Sequence, residues 1–214
     1  MNQPAPQQQT SLPLHPLEPS GDLTHSSDQN AKAESRRYGV RDAAFQAAAQ
    51  GGGENYFSAF ALFLHASPFH IGILSALPQL VGVVAQLLSV KLLQYLRMPA
   101  QLLIGGGWAQ ALCWLPILSL PLLLPEHGPW LLIGCAMLYF AFGHATAPVW
   151  NSLLVDVVET SSRGAYFAQR ARVTALTSFV ALGIAGTVLT LGQKWELSWI
   201  GFLFIFLGAA AARV

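Results

Sequence analysis

Apolar residues fall along this chain in long blocks separated by short polar punctuation. Residues 71–93 carry no charge before Lys91, and residues 102–124, 130–155 and 173–191 form three more blocks of similar kind. A shorter block follows at 198–212. Stretches of about 20 apolar residues predict transmembrane helices. Gly72, Pro78, Gly82, Pro116, Pro121 and Pro148 lie inside them. Such residues break soluble helices, but a membrane helix tolerates them where neighbours satisfy the backbone. The connections are short, at residues 66–70, 97–101, 125–129 and 192–197.

The first segment is less regular. Its uninterrupted apolar run, residues 56–64, reaches only roughly 14 Å at helical rise, too short to cross. Extension back to Ala43 gives adequate length but takes in Gln46, Gln50, Gly51, Gly52, Gly53, Glu54 and Asn55. Residues 1–38, rich in Pro, Gln and Ser with scattered charges, are expected to form a disordered tail. No apolar h-region follows a basic start, so the tail is not a secretory signal.

Charge supports the same layout. The chain is 53% hydrophobic and 10% charged, against about 25% charged in soluble domains. A net charge of +1 gives no reason to expect a nucleic-acid partner. With the tail in the cytoplasm and six crossings, Lys32, Arg36, Arg37, Arg41, Lys91, Arg97, Arg163, Arg170, Arg172 and Arg213 all fall inside. Only Lys194 falls outside, which is the positive-inside pattern with one exception. The polar first segment has to cross for that pattern to hold. Cys113 and Cys135 sit inside apolar runs and read as packing residues. No nucleotide loop, zinc-protease helix or nucleophile elbow occurs. Neither an enzyme nor a bound cofactor or metal is expected.

The most charged stretch beyond the tail is W-N-S-L-L-V-D-V-V-E-T-S-S-R-G-A-Y-F-A-Q-R-A-R, residues 150–172. Six helices with short loops and this charged connection after the fourth resemble the N-terminal half of a major facilitator superfamily transporter. The likeness is sharpest at R-G-A-Y-F-A-Q-R, residues 163–170, and H-I-G-I-L-S-A-L-P, residues 70–78, is similar to the start of the family's second helix. The family's G-x-x-x-D-R-x-G-R-R loop is replaced by S-V-K-L-L-Q-Y-L-R-M-P-A, with Gln94 and Tyr95 where Asp and Arg would stand. The resemblance implies an all-α polytopic membrane protein, a six-helix bundle over residues 39–214 in a plasma membrane, most simply a bacterial inner membrane, with a cytoplasmic N-terminus. It implies secondary transport of a small solute by alternating access. The family works with two such halves around a midplane site, so a truncated product, a partner half or a homodimer is expected. The rival is a non-transporting remnant or accessory membrane protein.

Candidate sites follow. Asp156, Arg163, Gly164 and Arg170 make a cytoplasmic gate loop by resemblance, Asp156 and Arg163 forming either a gating salt bridge or a solvated pair worth about 0–1 kcal/mol. Glu54, Asn55 and His144 are candidates for substrate or proton coupling. A carboxylate at the depth of Glu54 costs about 2.5–3.5 kcal/mol on insertion scales. By resemblance Glu54 and His144 face one aqueous pocket; the alternatives are hydrogen bonds to neighbouring helices, or a polar cytoplasmic entrance for Glu54. The glycines at 51–53 allow close helix contact or a loosened backbone. His65 and His70 read as interface histidines without a third metal ligand. Trp130, Trp150, Trp195 and Trp199 read as interfacial anchors.

Overall fold

The computed structural model describes residues 21–93, 99–123, 127–158 and 162–213. Among them 93% are helical and none is in a strand. The order is α1 (Gly21–Gly52), a 3-10 turn (Glu54–Tyr56), α2 (Phe57–Phe63), α3 (Pro68–Leu93), α4 (Pro99–Leu123), α5 (Gly128–Val157), α6 (Arg163–Lys194) and α7 (Ser198–Ala211). Every apolar block read from the sequence is helical.

Four helices, α3 to α6, are long and apolar enough to cross a membrane. The expected count of six differs at both ends of the bundle. The first segment is interrupted after Gly52 and resumes only as the short α2. The 14 residues of α7 rise roughly 21 Å, short of a hydrocarbon core of about 30 Å.

Two further boundaries differ from expectation. Helix α1 starts at Gly21 and so takes in residues 21–38, which composition assigned to a disordered tail. The run A-K-A-E-S-R-R, residues 31–37, consists largely of strong helix formers, and it continues into a stretch where Ala43, Ala47 and Ala49 are buried. The charged connection at 156–172 is also shorter than expected. Helix α5 continues to Val157 and α6 begins at Arg163, because the backbone of Arg163–Arg172 keeps its hydrogen bonds inside the helix even where the side chains are charged. Residues 1–20, and the replaced loop at Gln94 and Tyr95, lie outside the described residues.

Packing pairs α3 with α5, α1 with α6 and α4 with α5, and sets α7 against α6, α4 and α1. Exchanging the first three segments (α1/α2, α3, α4) with the last three (α5, α6, α7) maps most of these neighbours onto one another. The α3–α5 pair becomes α6–α1, the α4–α5 pair becomes α7–α1, and α4–α7 maps to itself. The α6–α7 and α2–α3 contacts depart from it, because among the described residues neither α3 and α4 nor α5 and α6 touch to the same extent.

In lipid, helices associate through close packing and polar contacts rather than through hydrophobic drive. Here α2 and α7 meet α4 and α5 through aromatic rings. Phe60 lies 5.0 Å from Phe206, Trp114 lies 5.0 Å from Phe206, and Trp114 lies 5.1 Å from Tyr139 between centroids. Each such pair contributes about 0.5–1.5 kcal/mol beyond its area. Residues Leu80, Val84, Leu87 and Leu88 of α3 and Leu176, Phe179 and Val180 of α6 stay exposed, as a lipid-facing surface requires.

Candidate functional site

The site starts at the interruption of the first segment. A Cβ on Gly51 would run into the carbonyl of Ser178 on α6, and one on Gly53 would lie 2.8 Å from the Trp114 ring. Only glycine lets α1 approach its neighbours this closely. Immediately beyond, the helix tightens: the amide of Tyr56 donates to the Gly53 carbonyl at 2.9 Å, and that of Phe57 to Glu54. The two readings of the glycine run therefore meet, close packing at Gly51 and a broken helix at Gly53.

Glu54 is the first residue of that turn, and it is not alone. The hydroxyl of Tyr139, on α5, donates to Glu54 Oε1 at 2.7 Å. Arg213, just past α7, donates from Nη2 to the same oxygen at 2.8 Å and from Nε to the Tyr139 hydroxyl at 3.1 Å. The guanidinium also stands over the Tyr139 ring, 5.5 Å from its centroid. Side-chain exposures of 14% for Arg213 and 11% for Glu54 place the pair where removing one charge leaves the other stranded. One alternative drawn from the sequence is a hydrogen bond from Glu54 to a neighbouring helix; the structure has that bond from Tyr139 and adds Arg213 as a partner.

Two adjoining cavities of about 420 and 440 Å³ open beside this cluster. They share Gln46, Gln110, Gly143, Ala147, Arg170 and Arg213 as lining. The smaller one is also lined by Glu54, Tyr139, His144, Thr174, Gln50 and Gln86. Gln110 is buried and donates to the Tyr139 carbonyl at 3.0 Å, and only glycine at 143 leaves room for its amide. The ring of His144 rests against Gly82 of α3, where a Cβ would come within 2.9 Å of it. Among the described residues no hydrogen bond ties that ring to a neighbouring helix, so its polar atoms are left to the cavity.

The structure thus brings Glu54, His144 and Arg170 to one cavity and leaves Asn55 out of it. Asn55 is exposed and lines neither cavity. Gly164 is exposed with open space around it. Arg163 donates to the Val158 carbonyl at 3.1 Å across the α5–α6 turn. The side chain of Asp156 lies outside the described residues, so its pairing with Arg163 does too. Because α5 ends and α6 begins between them, the two do not share one continuous helix. Arg170 turns inward from the expected gate loop, with its Nε buried and without a hydrogen-bond partner. At the opposite end, the His70 ring takes Ser67 Oγ at 2.7 Å and meets Trp130 edge-on at 4.7 Å. Among the described residues no three His, Cys, Asp or Glu side chains gather as a metal site.

Tyr139, Gln110 and Arg213 are the site residues that the sequence pattern did not single out. Tyr139 looks like one aromatic among many. For Arg213 the nearest signal is the shortness of the apolar helix before it, 14 residues, and that says nothing of a partner. No family model matches this chain, and neither a curated protein nor a solved structure matches it.

Proposed function

We propose that the chain is a secondary active transporter of a small polar solute, or half of one, resembling the N-terminal half of a major facilitator superfamily carrier. One observation carries the reading: a buried Glu54–Tyr139–Arg213 cluster opens onto a cavity with His144 and four glutamines, inside a bundle with four membrane-length apolar helices. Ionisable groups at that depth are costly and mark substrate or ion pathways. Two more features support it. The acidic residue sits at the break in the first segment, and most of the helix packing exchanges between two three-helix units. Interrupted helices and inverted repeats are how many carriers build a midplane site. In this reading the protein is a carrier rather than an enzyme. It lies in a bacterial inner membrane with its N-terminus inside, and works with a second half or a second copy.

A rival is favoured by the saturation of Glu54. An ion pair that never opens is a brace, and a brace suits a non-transporting accessory protein. Accessibility separates the two. In a chain with Cys113 and Cys135 replaced by alanine, a thiol placed at Thr174, which lines the cavity, is expected to react with a membrane-impermeant reagent added from either side of sealed vesicles. Reaction from one side only, under every condition tried, sinks the carrier reading. In an active reconstituted complex, Glu54→Gln is expected to abolish proton-driven accumulation while leaving solute exchange intact. Unaltered accumulation with an unaltered pH dependence excludes Glu54 as the coupling group.

A further inference from the structure

A second polar depression lies well away from the cluster, between the N-terminal part of α1 and the start of α6. It holds about 540 Å³ and is lined by Arg36, Arg37 and Arg41 from α1 and by Tyr166 and Gln169 from α6, among others. No acidic residue among those described lines it. Among the described residues none of the three arginines takes part in an ion pair. Of the described acids on α1, Glu34 accepts from Tyr38 at 3.3 Å and Asp42 from Gln46 at 2.8 Å, rather than from these arginines. Arg37 and Arg41 stand one helical turn apart, a like-charge spacing that destabilises a helix unless something neutralises it.

The groove also contains an unanswered donor. Tyr166 is 7% exposed, and its hydroxyl is buried without a hydrogen-bond partner. A buried hydroxyl left unpaired is costly. A ligand whose acceptor oxygens displace the packing over that hydroxyl would satisfy it. Three guanidiniums and a hydroxyl together call for a tetrahedral oxyanion, whose oxygens match the fork geometry of arginine. Beside the cationic rim the groove is lined by Ala33, Val40, Ala165 and Tyr166, and Val40 and Tyr166 pack against Val158 and Trp150 behind it. Arg41 immediately precedes the first apolar segment, and the groove sits where α6 enters its own apolar stretch. Cationic rim, apolar lining and headgroup level fit an amphiphile better than a soluble anion.

We propose that this groove binds the phosphate of an anionic phospholipid headgroup. The test uses the purified full chain in mild detergent, titrated with short-chain phosphatidylglycerol, short-chain phosphatidylcholine or inorganic phosphate, with bound ligand read by native mass spectrometry. Phosphatidylglycerol is expected to be retained about tenfold better than phosphatidylcholine. Replacing all three arginines by glutamine removes the cationic rim and is expected to abolish that preference. Tyr166→Phe is expected to weaken retention several-fold, and Lys194→Gln, at the other end of α6, to leave it unchanged. Should the three-glutamine chain retain phosphatidylglycerol as the parent does, the lipid binds elsewhere and the site is overturned. Should inorganic phosphate bind as tightly as the lipid, the site stands as an anion site and the lipid source is overturned.

Discussion

Arg213 and Glu54, 159 positions apart in the chain, meet at 2.8 Å. The contact joins the residue just past α7 to the break between α1 and α2, and Tyr139 closes the triangle from α5. Truncating either charge is expected to cost about 3–5 kcal/mol, since the survivor stays buried without its partner. Glu54→Gln and Arg213→Gln should each lower the unfolding midpoint in detergent. A paired Glu54→Leu and Arg213→Met chain should recover a large part of the loss. If the single substitutions leave the midpoint unmoved, the pair is not buried as described.

Neighbouring glycines are expected to behave differently. Gly51→Ala would drive a methyl into the Ser178 backbone, which cannot swing aside, whereas the nearest atom to a Cβ at Gly52 is 3.9 Å away. Overpacking of the first kind costs about 1–3 kcal/mol. Gly52→Ala should stay within about 1 kcal/mol of the parent, because helix propensity alone changes. Thermal unfolding of the two variants side by side checks the α1–α6 contact, and equal behaviour contradicts it.

The Gly82–His144 contact makes a third test. Gly82→Ala places a methyl 2.9 Å from the His144 ring and should destabilise by about 1–3 kcal/mol. Adding His144→Ala removes the obstacle, so the double variant should be more stable than the sum of the singles by about 0.5–3 kcal/mol. Strict additivity places the ring elsewhere.

Much of the helical layout could be read from hydropathy, because a bilayer demands about 20 apolar residues per crossing and residues 71–93, 102–124 and 130–155 supply them. Glu54 and His144 stood out for the same reason, as ionisable groups interrupting apolar runs. What hydropathy could not supply was pairing. Arg213 was placed in the cytoplasm because a basic residue next to an apolar block ordinarily marks a loop, and nothing local reveals a carboxylate 159 positions earlier. Tyr139 has the hydropathy of its neighbours, so its hydroxyl was invisible. The helix at residues 21–38 was missed because disorder was read from composition, which ignores what a helix gains by continuing from a packed segment.

Orientation can be measured directly. Reporters fused after Arg97 and after Arg170 are expected on the cytoplasmic side, and those after His127 and Lys194 on the outer side. A cytoplasmic signal after His127 ends the proposed orientation.

The short α7 also sets an order of events during synthesis. Glu54 leaves the ribosome 159 residues ahead of Arg213, which at roughly 5–20 residues per second is roughly 8–30 s. Throughout that interval the carboxylate at the break of the first segment has no cation from the end of α7 to pair with. Biogenesis therefore closes like a clasp: α5 and α6 reach the first segment earlier, and the ion pair with Arg213 is completed last. A nascent chain stalled before Ser198 should leave that segment within crosslinking reach of the insertion machinery, and release should follow once Arg213 has emerged.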